Sequence, residues 1–221
     1  LNATFYSLPS PEQVLTWKEK TPPNFKFFPK ITNTVSHFRR LINVTDVVTN
    51  YATSVLNFGD QLGMVFLQLH DNFKPKDFER VEKFVKDWPK EVPLAIEVRS
   101  AEWFEEENFE KFSELLEENN IANIIVDTAG RRDMLHMRLT SDTAFIRYVG
   151  ANADSDYARL DDWLERIKLW KEEGLKNLYF FVHQNVELAS PLLSAYFIEK
   201  INEAFRTEIH VPVMAETKTL F

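Results

Sequence analysis

The sequence predicts an α/β domain of parallel strands with helices outside, and among such folds a (β/α)₈ TIM barrel. Two observations predict the class. Apolar runs of strand length alternate with helical repeats seven times along 221 residues. The texture is even throughout, with no linker and no break in charge, so a single domain over 1–221 is expected. A third observation favours the barrel over a flat doubly wound sheet: polar residues recur where the strand segments end, and in a barrel those C-terminal ends meet at one mouth, where active sites lie.

Taken in order, Asn2, Thr4 and Tyr6 alternate with Ala3 and Phe5, the period of two of a strand. Ser10-Pro11 starts a helix, with Ser10 as N-cap and Pro11 at the first helical position. Thr21-Pro22-Pro23 stops it, and Phe25 to Lys30 reads as the next strand, ending in a lysine. Val35 to Asn57 has loose helical spacing closed by Gly59. Leu62 to Leu69 is almost wholly apolar, as a strand covered on both faces would be, with Gln68 the exception near its end. Pro75 to Trp88 carries one apolar stripe through Phe78, Val81, Val85 and Trp88.

Pro93 to Trp103, PLAIEVRSAEW, is the most informative stretch. In an extended strand Ala95, Glu97 and Arg99 share a face while Ile96 and Val98 share the other, so two opposite charges stand together at the end of a buried-looking strand. Phe104 to Asn119 follows as an amphipathic helix with a solvated acidic face. Asn123 to Thr128 is a short strand ending near Asp127, and Arg131 to Arg138 holds at most a short helix. Thr143 to Gly150 is a strand bearing Arg147, Tyr157 to Glu173 a helix with Gly174 as its C-terminal cap, and Asn177 to Gln184 the last strand, ending in His183 and Gln184. Ser190-Pro191 is expected to cap the final helix. Seven strands, with one more before Leu1, would make eight, so the barrel is expected to be N-terminally incomplete.

Composition narrows the chemistry. The chain is 44% hydrophobic with 19 Phe, ample for a core, and has no cysteine, which excludes disulfides and thiolate metal sites. No apolar run reaches the ~20 residues of a membrane span and no signal peptide is visible, so a cytoplasmic protein without a membrane partner is expected. A net charge of -8 gives no overall basic footprint for nucleic acid. Of five histidines, only His183 falls at a strand end, so no metal site is expected. No P-loop, GxGxxG or G-x-S-x-G is present, and no cofactor is implied.

The motifs NATFY (Asn2 to Tyr6), TPPNF.F..K (Thr21 to Lys30), LG..F.QL (Leu62 to Leu69), E.R..EW (Glu97 to Trp103) and Y..L..W...I (Tyr157 to Ile167) resemble the DUF72, or YecE-like, family over nearly the whole chain. The resemblance implies a TIM barrel with a site at its mouth. Family members usually carry a preceding strand with a glycine-rich turn. They also place Arg-x-His-Gly where this chain has Arg147-Tyr148-Val149-Gly150, and an asparagine pair where it has His183-Gln184.

The expected mouth holds Glu97, Asp127 and His183 as catalytic candidates. Lys30, Arg99 and Arg147 would bind an anion, and Asn2, Tyr6, Gln68 and Gln184 would supply hydrogen bonds. Three function readings stay open: an acid/base enzyme for a small anionic, phosphorylated or sugar-like substrate; a nucleic-acid processing or binding protein, by analogy with endonuclease IV-like barrels and less favoured; and a noncatalytic ligand-binding barrel. The oligomeric state is not legible.

Overall fold

The computed structural model describes residues 1–213 and has the α/β class expected, with parallel strand pairing. The chain divides into two compact units, Leu1–Ile124 with Met137–Ser141, and Ile125–His136 with Asp142 onward.

In the first unit, α2 (Pro11–Glu19) opens with Ser10 as the expected N-cap, here within a capping box: the Ser10 hydroxyl accepts from the Gln13 N–H and the Gln13 side chain accepts from the Ser10 N–H. The strands β1 (Val65–Gln68), β2 (Leu94–Glu97) and the start of β3 (Ala122–Thr128) pair in that order. Their register sets Val65 beside Leu94 and, at the C-terminal end, Gln68 beside Glu97. The helices α3 (Thr45–Val55), α4 (Phe78–Asp87) and α5 (Glu106–Glu118) supply Val48, Val81, Val85, Phe112 and Leu116 to the core around Leu67 and Ile96.

Four expectations are corrected here. Leu1 to Tyr6 is not a strand: Ala3–Tyr6 is a helical turn, α1. The Thr4 hydroxyl, lying between the Leu1 and Lys30 carbonyls at 2.8 Å from each, satisfies locally what a ladder would satisfy at a distance. Phe25 to Lys30 is not a strand but makes isolated parallel bridges, Phe27 with Leu62 and Lys30 with Phe66 of β1, because Pro29 has no N–H to donate between them. Val35 to Asn57 is not one helix. A π-helical segment, Thr34–Phe38, precedes left-handed residues at Arg40, Leu41 and Asn43, and the α-helix starts only at Thr45. Ser190 does not cap α7 (Ser190–Phe205); that helix continues from the turn Glu187–Ala189, and the Ser190 hydroxyl donates to Glu187 at 2.7 Å.

In the second unit the rest of β3 lies beside β4 (Thr143–Gly150), which pairs with β5 (Asn177–Gln184) over eight residues, from Thr143 with Asn177 to Gly150 with Gln184. The helix α6 (Ser155–Glu172) packs Trp163 on Phe180, and Phe180 meets Phe197 of α7. Past the end of α6, Gly174 adopts φ 107° while the Leu175 N–H returns to the Trp170 carbonyl, so its role as cap is met.

Trp103, the last residue of PLAIEVRSAEW, is wholly buried, packs on Phe112, and donates its indole N–H to the Phe73 carbonyl at 2.8 Å. Trp103→Phe therefore leaves a buried carbonyl without its donor and is expected to cost about 1–3 kcal/mol in urea unfolding. A loss below about 0.5 kcal/mol would mean that this bond contributes nothing net.

Candidate functional site

The sequence-derived residues fall into two groups, one in each unit. In the first unit, Lys30, Gln68 and Glu97 stand at the C-terminal ends of neighbouring parallel segments, since Lys30 bridges Phe66 and Gln68 faces Glu97. Their side chains form a relay. The Lys30 ammonium donates to Gln68 Oε1 at 2.8 Å, and the other end of that amide, Nε2, donates to Glu97 Oε1 at 2.7 Å. Arg99 Nε lies 3.7 Å from the same carboxylate oxygen and 3.0 Å from Asp71 Oδ1. Glu97 is 2% exposed and Arg99 41%, so the chain of contacts runs from a buried carboxylate out to a reachable guanidinium.

A ring cluster adjoins the relay. The Lys30 ammonium sits 4.1 Å over the Phe5 ring, a cation-π contact. Phe5 meets both Tyr6 and His37 edge to face at 5.1 Å, and His37 meets His70 at 5.0 Å. His70 Nδ1 accepts from the Asn72 N–H at 3.2 Å, which leaves the proton of a neutral ring on Nε2. Burial, with the charges of His70, Lys30 and Arg99 added, lowers the pKa of His37, and Asp71 offsets part of this; His37 is therefore neutral at pH 7. His37 Nδ1 contacts the buried Ser36 hydroxyl at 2.7 Å.

Sequence reasoning missed His37, His70 and Asp71. His70 and Asp71 stand two and three residues past Gln68, in the loop after the strand end, a position that could have flagged them. His37 could not be placed, because the π-helical segment that carries it reads as ordinary helix. Asn2 and Tyr6 were expected on a strand face. Instead, the Asn2 carbonyl accepts from the Phe5 N–H at the start of α1, and Tyr6 is 75% exposed at its end.

The second unit holds Asp127, Arg147, His183 and Gln184. Asp127, 1% exposed, has both oxygens engaged: Oδ1 accepts from Arg159 Nη2 at 2.6 Å and Oδ2 from the Trp163 indole at 2.8 Å. Arg159 also lies 3.3 Å from Asp156 Oδ1 and 4.3 Å over the Tyr148 ring. Asp156 further accepts from the N–H groups of Ala151 and Ala153 at 2.9 and 3.1 Å. Gln184 Oε1 accepts from the Asn152 N–H at 3.0 Å. Gly150 makes room for both side chains, because a Cβ there would fall 2.2 Å from Gln184 Oε1 and 2.7 Å from Asp156 Oδ2. Arg147 is half-buried on β4, and His183 Nδ1 lies 3.2 Å from Glu187. Among the described residues, no group of three or more His, Asp or Glu side chains is placed to hold a metal ion, and no helix is long and apolar enough to cross a membrane.

Burial raises the pKa of Asp156, but the two backbone N–H groups, Gln184 and Arg159 outweigh it and hold the carboxyl below its usual value. Its contribution to stability is thus complete above the unfolded value of about 3.9 and is lost as pH falls through the depressed folded value. Asp156→Asn is expected to be less stable than wild type at pH 7, with the gap closing below about pH 4 in urea unfolding. A gap independent of pH would assign the effect to shape rather than charge.

The arrangement has relatives. The family model described as protein of unknown function DUF72 matches residues 1–217. The chain is 27% identical over 240 aligned positions to UPF0759 protein YecE of Escherichia coli K12, covering all of this chain and 88% of that protein. A crystal structure of a DUF72 family protein from Enterococcus faecalis V583 superimposes with a TM-score of 0.75 at 16% identity, over 97% of this chain and 87% of that one. Another, from Thermotoga maritima MSB8, gives 0.71 at 24% identity, over 90% and 82%. The α/β, TIM-barrel-like fold expected from the sequence is shared with these structures, and the chain belongs to the DUF72 family.

Proposed function

We propose that this chain is an acid/base enzyme for a small anionic substrate, phosphorylated or sugar-like, bound where β1 and β2 end. Lys30 and Arg99 grip the anion, Arg99 through the geometry of its guanidinium fork. Glu97 transfers the proton, and Gln68 ties it to Lys30, so that an anion drawing on the ammonium alters the hydrogen bonding of the carboxylate. The observation that carries this reading is the relay Lys30, Gln68, Glu97, Arg99, in which a buried carboxylate is linked on both sides to cations at strand ends. Asp127 has a different task in this reading: engaged by Arg159 and Trp163, it holds α6 against β3 and does not exchange protons with substrate.

A second reading is supported by the burial of Glu97. A carboxylate so enclosed also suits an ion pair that merely fills the end of the strand layer, in a barrel that binds a ligand without turnover.

A turnover screen of phosphorylated and sugar-acid metabolites separates the two. Glu97→Gln keeps an acceptor for Gln68 and is expected to lower kcat by ~100-fold or more with KM nearly unchanged, while Lys30→Ala chiefly raises KM. If no metabolite is turned over, and Glu97→Ala gains stability without loss of ligand binding, the filling role stands and the enzyme reading is wrong.

A further inference from the structure

Building on the anion site at Lys30 and Arg99, we propose that its ligand carries a planar ring as well as the anionic group, a mononucleotide being the probe of that chemistry, and that the ring stacks on Tyr6. Tyr6, Phe5, His37 and His70 touch in sequence, each pair edge to face, with interplanar angles of 83°, 82° and 72°. An edge-to-face contact engages at most one face of each ring. Tyr6 is 75% exposed, so it has a face open to a ligand.

Isolated exposed aromatics are ordinary on protein surfaces. Tyr6 differs because the ring it leans on is the one that holds the Lys30 ammonium, 4.1 Å away. The exposed ring and the cation therefore contact the same Phe5 side chain, and a ligand with an anionic group and a planar ring could engage both. The helical turn α1 fixes this arrangement, since Tyr6 and Phe5 are consecutive and the Thr4 hydroxyl reaches the Lys30 carbonyl. His37 and His70 close the far end of the row, and the lowered pKa of His37 keeps one more cation out of a site that already holds Lys30 and Arg99. A neutral imidazole there can accept or donate a hydrogen bond to a sugar hydroxyl or a base edge.

Calorimetric titration with inorganic phosphate, ribose 5-phosphate, AMP and UMP tests the proposal on wild type, Tyr6→Ala, Tyr6→Phe and Lys30→Met. Both mononucleotides are expected to bind roughly tenfold or more tightly than ribose 5-phosphate. Tyr6→Ala should abolish that preference and leave phosphate binding unchanged, Tyr6→Phe should keep it, and Lys30→Met should weaken all four. Because Tyr6 is a surface residue, its two variants fold alike, and the fold of Lys30→Met is checked by circular dichroism before titration. If phosphate binds through Lys30 but the nucleotides gain nothing over ribose 5-phosphate, or keep their gain in Tyr6→Ala, the ring proposal is overturned and the anion site survives. If nothing binds, or binding ignores Lys30→Met, both fall. Binding by oligonucleotides alone overturns a mononucleotide-sized ligand. Tyr6-dependent binding of AMP and UMP without any turnover upholds the ring proposal and removes only the catalytic role of Glu97.

Discussion

Glu97 is a carboxylate at 2% exposure, and the register of β1 on β2 leaves it directly opposite Gln68. An isolated charge in such a place would cost several kcal/mol, so its neighbours must answer it. They do so in two directions, through the Gln68 amide to Lys30 and through Arg99 to Asp71. The amide matters because its two ends are different: Oε1 accepts from the ammonium while Nε2 donates to the carboxylate, so neither can turn without breaking both bonds. Lys30 in turn needs the Phe5 ring, and Phe5 needs the turn α1 to reach it. The local structure of the first six residues is thus tied to the strand ends at Gln68 and Glu97 by one chain of electrostatic contacts.

The second unit solves a similar problem with opposite proportions. There two carboxylates, Asp127 and Asp156, are buried against one guanidinium, that of Arg159, and the remaining demand is met by the Trp163 indole and by backbone N–H groups of the loop after β4. Side chains fixed so completely define the path of the loop from Gly150 to Asp154. Both units bury their carboxylates, but the guanidinium that answers Glu97, that of Arg99, is 41% exposed whereas that of Arg159 is 13% exposed, and this contrast is why the proposed chemistry is assigned to the first.

Much of this was legible in the sequence, and the misses share a cause. The strands β2, β4 and β5 stand out because continuous apolar runs have one explanation in a parallel sheet. Glu97, Arg99 and Lys30, with the polar Gln68, could be singled out because a polar or charged group at the end of such a run is costly. What failed was local. The alternation of Asn2 to Tyr6 fits a strand, yet the Thr4 hydroxyl supplies the hydrogen bonds that favour a turn. Arg159 and Asp156 lie on a helix whose pattern marks them only as polar, and their burial follows from packing that no periodicity encodes. His37 was hidden by a π-helical segment, since one extra residue per turn changes which face a side chain occupies.

The role proposed for the relay from Lys30 to Arg99 is to receive an anion. A crystal structure of the protein grown with phosphate tests it most directly. The account expects phosphate bound between the Lys30 ammonium and the Arg99 guanidinium, with Gln68 still bridging to Glu97. Phosphate absent from these two side chains but ordered elsewhere on the molecule, with Arg99 still on Asp71, would contradict it.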